Sequence, residues 1–196
     1  MRKLIVAALL AGASATPAFA QDTGSTQFSG VHVEGIVGYD TTKDDGEGRD
    51  GVVYGVGAGY DIRSGNMVFG ITGEASKSTI DECVSNAVVT NDELCVEAGR
   101  ELSVGGRLGV VAGSNALIYA HAGYTNARVD VDYTPAVAGG ANPFDAQSSN
   151  LDGVRVGGGV ELGIGRNAFA RAEYRYSNYE QGFDRHQVVG GFGLRF

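Results

Sequence analysis

Eight segments of this chain alternate apolar and polar residues with a period of two, and no segment shows a competing helical period. In residues 52–63, the even positions hold valine, tyrosine, alanine and isoleucine, whereas most odd positions hold glycine, Asp61 or Arg63. Because successive side chains of a β-strand point to opposite faces, the pattern predicts strands with one apolar and one polar face. The predicted strands cover residues 31–40, 52–63, 67–76, 101–111, 117–127, 154–162, 168–176 and 187–196.

The connections between these strands alternate in length. They are short at 64–66, 112–116 and 163–167, and long at 41–51, 77–100 and 128–152. Brief periplasmic turns and longer outer loops are typical of a membrane barrel. A strand of about ten residues, rising ~3.3 Å per residue and tilted by ~45°, spans roughly 23 Å, close to the ~25 Å apolar band of such barrels. The sequence therefore predicts an all-β fold, an eight-stranded antiparallel transmembrane up-and-down β-barrel.

The polar faces of the strands carry acidic residues and arginines in equal numbers. A solvent-exposed face of a soluble sheet also mixes charges and is the alternative interpretation. In a closed barrel of eight strands, however, the interior is just wide enough to be filled by side chains, which favours ion pairs across the lumen. The predicted lumen charge network consists of Glu34, Asp61, Arg63, Glu74, Glu101, Arg107, Arg155, Glu161, Arg171, Glu173, Arg175 and Arg195.

Aromatic residues avoid the middle of most predicted strands, as expected if they line the two membrane–water interfaces. With the short turns on the periplasmic side, the outer rim holds Tyr39, Tyr54, Tyr124, Tyr174 and Tyr176. At or near the periplasmic rim lie Tyr60, Phe69, Phe192 and Phe196. The strand at 117–127 is ambiguous, because both the set starting at Leu117 and the set starting at Ile118 are largely apolar. We take the Ile118 set as outward, which places His121 inside.

The N-terminus has the layout of a secretory signal peptide. A basic start and an apolar run lead to the small residues Ala18 and Ala20, which suit a cleavage site. An N-terminal anchor helix is the alternative, but the apolar run is too short to span a bilayer. We therefore expect residues 1–20 to be removed and residues 21–196 to form one outer-membrane barrel domain.

Glycine dominates the composition, with 32 glycines against 3 prolines and no tryptophan. We expect most of the glycine to line the lumen, where it makes room for charged side chains and eases the curvature of a small barrel. Removing the signal peptide changes the formal net charge from -8 to -10, because Arg2 and Lys3 are lost. Such a negative chain is a poor match for nucleic acid.

Cys83 and Cys95 are the only cysteines, and both fall in the second long connection. In an exported protein an even pair predicts a disulfide, although two free thiols are the alternative. Closing a loop of this size is worth about 3 kcal/mol in the chain-entropy description. Such a bond would stiffen an exposed loop.

Three stretches in the last third of the chain carry a family resemblance: 153–163 (GVRVGGGVELG), 169–176 (FARAEYRY) and 190–196 (GGFGLRF). They resemble the OmpA-type small outer-membrane β-barrel proteins of the porin-like family, and the earlier part of the chain is similar in architecture only. The resemblance implies eight strands, location in the outer membrane of a Gram-negative bacterium, and recognition of the terminal Phe196 by the barrel-assembly machinery. Nothing follows the last strand, so no peptidoglycan-binding domain is expected.

Candidate chemistry is sparse. The histidines are His32, His121 and His186. His186 lies near Asp184 and Glu180, but its strand offers no serine or threonine nucleophile at short spacing. We therefore expect no enzyme. Divalent cations could be attracted to the acidic first long connection, which contains Asp40, Asp44, Asp45, Glu47 and Asp50. The spacing does not match an EF-hand loop, and we expect a solvated loop with no metal or cofactor.

The sequence thus predicts a structural outer-membrane protein that contributes to envelope integrity and to surface interaction through its extracellular loops. Its expected partners are outer-membrane lipid and lipopolysaccharide, the barrel-assembly machinery, and an extracellular ligand bound by the loops. The alternative is a narrow porin passing ions or small solutes. Paired lumen charges argue for a blocked interior, whereas inward glycines argue for some water-filled volume.

Overall fold

The computed structural model describes residues 27–44, 47–85, 93–134, 147–180 and 184–196, within which there are nine β-strands. The strands are β1 (Gly30–Asp44), β2 (Glu47–Ser64), β3 (Met67–Ser78), β4 (Asp81–Ser85), β5 (Glu93–Ala112), β6 (Ala116–Thr134), β7 (Gln147–Ile164), β8 (Ala168–Tyr179) and β9 (Asp184–Arg195). The predicted signal peptide, residues 1–20, lies outside this described part. Among the described residues, no helix is long and apolar enough to cross a membrane.

The sheet closes on itself through antiparallel pairs. β1 pairs with β2 on one side and with β9 on the other, and the order continues from β9 through β8, β7 and β6 to β5. β3 pairs with β5 over residues 67–77, and β4 pairs with β5 immediately beyond, so β3 and β4 share one position in the barrel. The result is the closed eight-stranded antiparallel barrel that the alternation predicts.

The two faces of the sheet carry opposite chemistry. Outward-facing Val37 and Ile71 are 58% and 67% exposed, whereas inward-facing Arg155 and Glu161 are 1% and 0% exposed. A soluble sheet would hide the first kind of residue and expose the second. Apolar surface of this extent is stable against lipid, so the barrel wall is the membrane-spanning element.

The ambiguous strand has the predicted orientation. In β6, Ile118 and Tyr124 point outward and are about half exposed, whereas Leu117 and Tyr119 are buried in the interior. His121 shares the inward face and borders a lumen cavity. The choice of the Ile118 set as lipid-facing is therefore confirmed.

The strands run well into the connections that the sequence predicts as long loops. β1 continues to Asp44, β2 already begins at Glu47, and β6 continues to Thr134. Beyond the bilayer neither face of a hairpin meets lipid, so the contrast between faces fades although the backbone hydrogen bonds continue. The alternation therefore marks the membrane-spanning part of each strand and underestimates its full length.

Glycine has a different use on each face of the barrel. On the inner face of β3, a Cβ at Gly70 would lie 2.0 Å from Asp61 Oδ1, so this glycine makes room for a lumen charge. On the outer face of the same strand, a Cβ at Gly73 would meet nothing closer than 3.8 Å. Small outward residues lie opposite each other at Ala58–Gly73, Gly106–Ala122, Ala120–Gly158 and Ala172–Gly190. Glycine therefore occurs on the lipid-facing surface as well as along the lumen.

Candidate functional site

The charged residues of the inner face form three groups along the lumen. The group nearest the periplasmic turns, here called the lower ring, takes one residue from each of β2, β5, β7 and β9: Asp61, Arg107, Glu161 and Arg195. Arg107 donates to Asp61 through two nitrogens and to Glu161 at 2.9 Å. Arg195 donates to Glu161 at 2.8 Å and to Asp61 at 3.0 Å, which closes the ring across the barrel. His32 adds a 3.0 Å contact to Asp61.

The next group, here called the central cluster, consists of Glu34, Glu74, Arg171, Glu173 and Arg175. Arg175 donates to Glu74 at 2.6 Å and to Glu173 at 2.5 Å. Arg171 contacts Glu34 at 2.8 Å, Glu173 at 3.2 Å and Glu74 at 3.6 Å. It therefore joins β8, which also carries Glu173 and Arg175, to β1 and β3. The cluster therefore fixes three sides of the lumen to one another at mid-height.

The group nearest the outer end, here called the upper cluster, consists of Asp40, Glu101, Arg155 and Arg185. Glu101 accepts hydrogen bonds from both arginines, and Arg185 also donates to Asp40 at 2.8 Å. Arg155 contacts Glu74 at 3.8 Å, which connects the upper and central clusters. Hydroxyl groups donate further hydrogen bonds to the buried carboxylates: Ser78 to Asp40, Tyr179 to Glu101, and Tyr119 to Glu173 of the central cluster.

The structure brings together every residue of the predicted lumen network except Arg63. Arg63 stands at the end of β2 beside the turn, and its guanidinium donates to the backbone carbonyls of Gly65 at 2.9 Å and Gln27 at 3.2 Å. Its inclusion in the network is corrected here: it lies beyond Asp61 on the inward face, where the lumen ends and backbone carbonyls are nearer than carboxylates.

Asp40 and Arg185 belong to the lumen but were left out of the predicted charge network. The sequence places Asp40 among the acids of the first long connection, whereas its carboxylate is fully buried and bound by Arg185 and Ser78. Asp40 ends the first predicted strand, 31–40, on the same face as Glu34. Arg185 shares the parity of Gln187, so extending the last predicted strand by two residues would have included it. Of the other acids there, Asp45 lies outside the described residues.

Burial makes these charges depend on one another. A carboxylate or guanidinium withdrawn from water is costly unless it is paired and hydrogen-bonded. Multidentate arginine contacts of the kind made by Arg107 are the strong form of this interaction. The space left over is small: the central cavity, bordered by Glu74, Tyr119, His121 and Arg171, has a volume of about 20 Å³. That is room for about one water molecule.

The remaining candidate residues have separate surroundings. His121 faces Glu173 at 3.5 Å inside the barrel, whereas His186 accepts or donates a 2.7 Å hydrogen bond with Tyr174 on the outer surface. Within the described ranges, no cluster of three or more histidine, cysteine, aspartate or glutamate residues is arranged to hold a metal ion.

The two cysteines face each other in the backbone register. Cys83 of β4 lies opposite Cys95 of β5. Opposite residues of an antiparallel pair have Cβ atoms about 4.5–5.5 Å apart, near the separation that a disulfide needs. The disulfide stays a prediction, which alkylation of the unfolded, unreduced protein with iodoacetamide tests: bonded cysteines stay unmodified, and free thiols would gain two adducts.

Comparison with known proteins agrees with this architecture. A family model for the outer membrane protein beta-barrel domain matches residues 5–196. The 22 kDa outer membrane protein of Rhizobium leguminosarum bv. viciae is 30% identical over 165 residues, which cover 76% of this chain and 70% of the relative. The 25 kDa outer-membrane immunogenic protein of Brucella ovis is 27% identical over 142 residues, covering 72% and 62% respectively.

Two solved structures share the fold. Neisserial surface protein A gives a TM-score of 0.59 at 17% identity, covering 86% of this chain and 98% of that one. Ail, the attachment invasion locus protein of Yersinia pestis, solved in complex with the heparin analogue sucrose octasulfate, gives 0.56 at 17% identity, covering 85% and 99%. At this level of identity the likeness concerns the fold.

Proposed function

Because this chain belongs to the outer membrane protein beta-barrel domain family, we propose that it is a structural, non-enzymatic protein of the outer membrane. In this proposal the barrel contributes to envelope integrity, and the extracellular hairpins take part in surface interactions. Location in the outer membrane of a Gram-negative bacterium follows from the family and the barrel.

The filled lumen is the observation that carries the proposal. Ion pairs occupy the lumen near the periplasmic turns, at mid-height and near the outer end, and Arg155 bridges the upper and central groups. The central cavity, about 20 Å³, has room for about one water molecule. Passing a solute would require several buried ion pairs to separate at once, which supports a closed barrel over a narrow porin.

Single-channel recording of the refolded protein in a planar bilayer tests this point. We expect no steady conductance from the wild type. A steady open state whose conductance changes with Arg107→Ala or Arg171→Ala would support the porin alternative and overturn the closed barrel. Arg166→Ala, at an exposed position in a periplasmic turn, is the matched control because it removes the same charge outside the lumen.

The proposed partners follow from the surfaces of the barrel. The apolar wall suits outer-membrane lipid, and its outer end suits contact with lipopolysaccharide. Phe196 is 71% exposed on the outer face, consistent with a signal that the barrel-assembly machinery can reach. The extracellular hairpins are proposed to bind a ligand outside the cell.

Envelope integrity is measurable in the bacterium. A deletion strain is expected to become more sensitive to detergents and to large antibiotics, and the wild-type gene should restore resistance. A variant with the extracellular hairpins shortened separates the two roles, since it should restore resistance while losing any surface interaction. Unchanged sensitivity of the deletion strain would contradict a role in envelope integrity.

A further inference from the structure

Three outer hairpins repeat one arrangement just above the outer tyrosines. In each, an aspartate lies opposite a threonine or asparagine, and that polar residue stands two positions beyond a rim tyrosine. We call these residues, together with Lys77 and Arg100 of the fourth hairpin, the outer collar. The three sets are Tyr39, Thr41 and Asp50; Tyr124, Asn126 and Asp152; and Tyr176, Asn178 and Asp184.

Each aspartate of the outer collar accepts a hydrogen bond from a residue of its own hairpin. Asn126 donates to Asp152 at 2.6 Å, and Asn178 donates to Asp184 at 2.6 Å. Thr41 donates to the third aspartate at 2.9 Å. These three hairpins therefore present carboxylates whose hydrogen bonds are satisfied by the chain itself.

The fourth hairpin presents two basic residues in register with the rim residue Tyr54. Lys77 of β3 lies directly opposite Arg100 of β5, and both side chains are exposed on the outer surface. Among the described residues neither makes an ion pair. The register between β5 and β6 shifts between Ala98 and Glu101, immediately next to this pair.

Like charges directly opposite each other destabilise a pair of strands. Water would screen them in a soluble protein, but this pair stands on the lipid-facing side. Tyr54 lies opposite Lys77, and Leu102, the next outward residue of β5, is 42% exposed below Arg100. Long basic side chains at such an interface extend toward the headgroups. An anion in the headgroup layer of the outer leaflet would offset the repulsion.

We propose that Lys77 and Arg100 bind a phosphate group of an outer-leaflet glycolipid. Phosphate suits the pair because a guanidinium contacts two phosphate oxygens at once and an ammonium adds a compact charge. The site faces sideways into the membrane, so its occupant is a lipid molecule packed against the barrel wall. This proposal rests on the proposed function, in which the long hairpins lie outside the cell. It deepens that function by assigning one hairpin to lipid attachment.

Lipid titration of the refolded protein in phosphatidylcholine nanodiscs tests the site. The probes are phosphorylated lipid A, lipid A with its phosphates removed, and inorganic phosphate, each followed by native mass spectrometry. The proteins are the wild type, Lys77→Gln, Arg100→Gln, and Arg166→Gln, which removes an exposed arginine at the periplasmic end.

We expect each of the two collar variants to bind phosphorylated lipid A roughly fivefold more weakly than the wild type, as one interfacial charge is lost. The Arg166→Gln control and the dephosphorylated lipid should show no such difference. Without lipid A, Lys77→Gln should unfold at the same temperature as the wild type or a higher one, since repulsion is relieved. If Lys77 had a merely structural role, Lys77→Gln would lower the unfolding temperature together with the affinity.

Three results would overturn the proposal: unchanged affinity in both collar variants, an equal loss with dephosphorylated lipid A, or inorganic phosphate binding as tightly as the lipid. Conductance in the single-channel experiment would instead overturn the closed barrel and leave this titration unaffected. The two hypotheses therefore fail separately.

Discussion

Replacing Arg107 by methionine removes a guanidinium from the lower ring while keeping an unbranched side chain. The change leaves Asp61 and Glu161, both 0% exposed, to share Arg195. Removing one partner of a buried ion pair costs about 3–5 kcal/mol, because a charge is left uncompensated in the interior. We expect Arg107→Met to lower the free energy of unfolding by about that amount.

The assay is urea unfolding in lipid vesicles, followed by circular dichroism and by the heat-dependent shift in gel mobility, because the chain has no tryptophan to report fluorescence. Arg63→Met is the matched control. It removes two hydrogen bonds to backbone carbonyls, one exposed and one part-buried, and should cost less than Arg107→Met because water can replace the exposed one. A double variant, Arg107→Met with Asp61→Asn, should recover part of the loss by removing the orphaned carboxylate. Equal costs for the two methionine variants, or no recovery in the double variant, would refute the reasoning.

Three further outcomes are expected. Gly70→Ala should destabilise the barrel by about 1–3 kcal/mol through overpacking, whereas Gly73→Ala on the outer face should be neutral or stabilising, as measured by the same urea unfolding. The hydrogen bond from Tyr124 lowers the pKa of Asp152 below its usual 3.8. The stability that this hydrogen bond contributes is therefore present above pH 3.8 and is lost as the pH falls through the lowered pKa. Tyr124→Phe should raise the titration midpoint of Asp152 seen by carboxyl NMR, and an unchanged midpoint would contradict the assignment. The intact mass of the exported protein should correspond to a chain starting at Gln21, which tests the signal peptide.

The fold was predictable because lipid outside and paired charge inside impose a sharp contrast on alternate residues. In residues 52–63, that contrast is almost uninterrupted. It ends where the chain leaves the bilayer, so the extension of β6 to Thr134 carries no comparable signal. Membership in the lumen likewise followed from parity, as Glu101 and Arg155 illustrate.

The partners within the lumen could not be predicted from the alternation. Asp61 meets Arg107, Glu161 and Arg195 because of the stagger between strands on opposite walls, and the stagger is a property of the closed sheet. Parity alone assigns a residue to a face, and Arg63 was wrongly grouped with residues deeper in the lumen although it stands next to the turn at the end of its strand.

The pairing of β1 with β9 has a consequence for how the protein is made. These strands meet from His32 opposite Arg195 up to Lys43 opposite Asp184, although the whole intervening sequence separates them. Until β9 has been synthesised and delivered, the seam stays open and the carboxylates of the lower ring lack Arg195. A chain that ends before β9 therefore can neither close the barrel nor complete the lower ring.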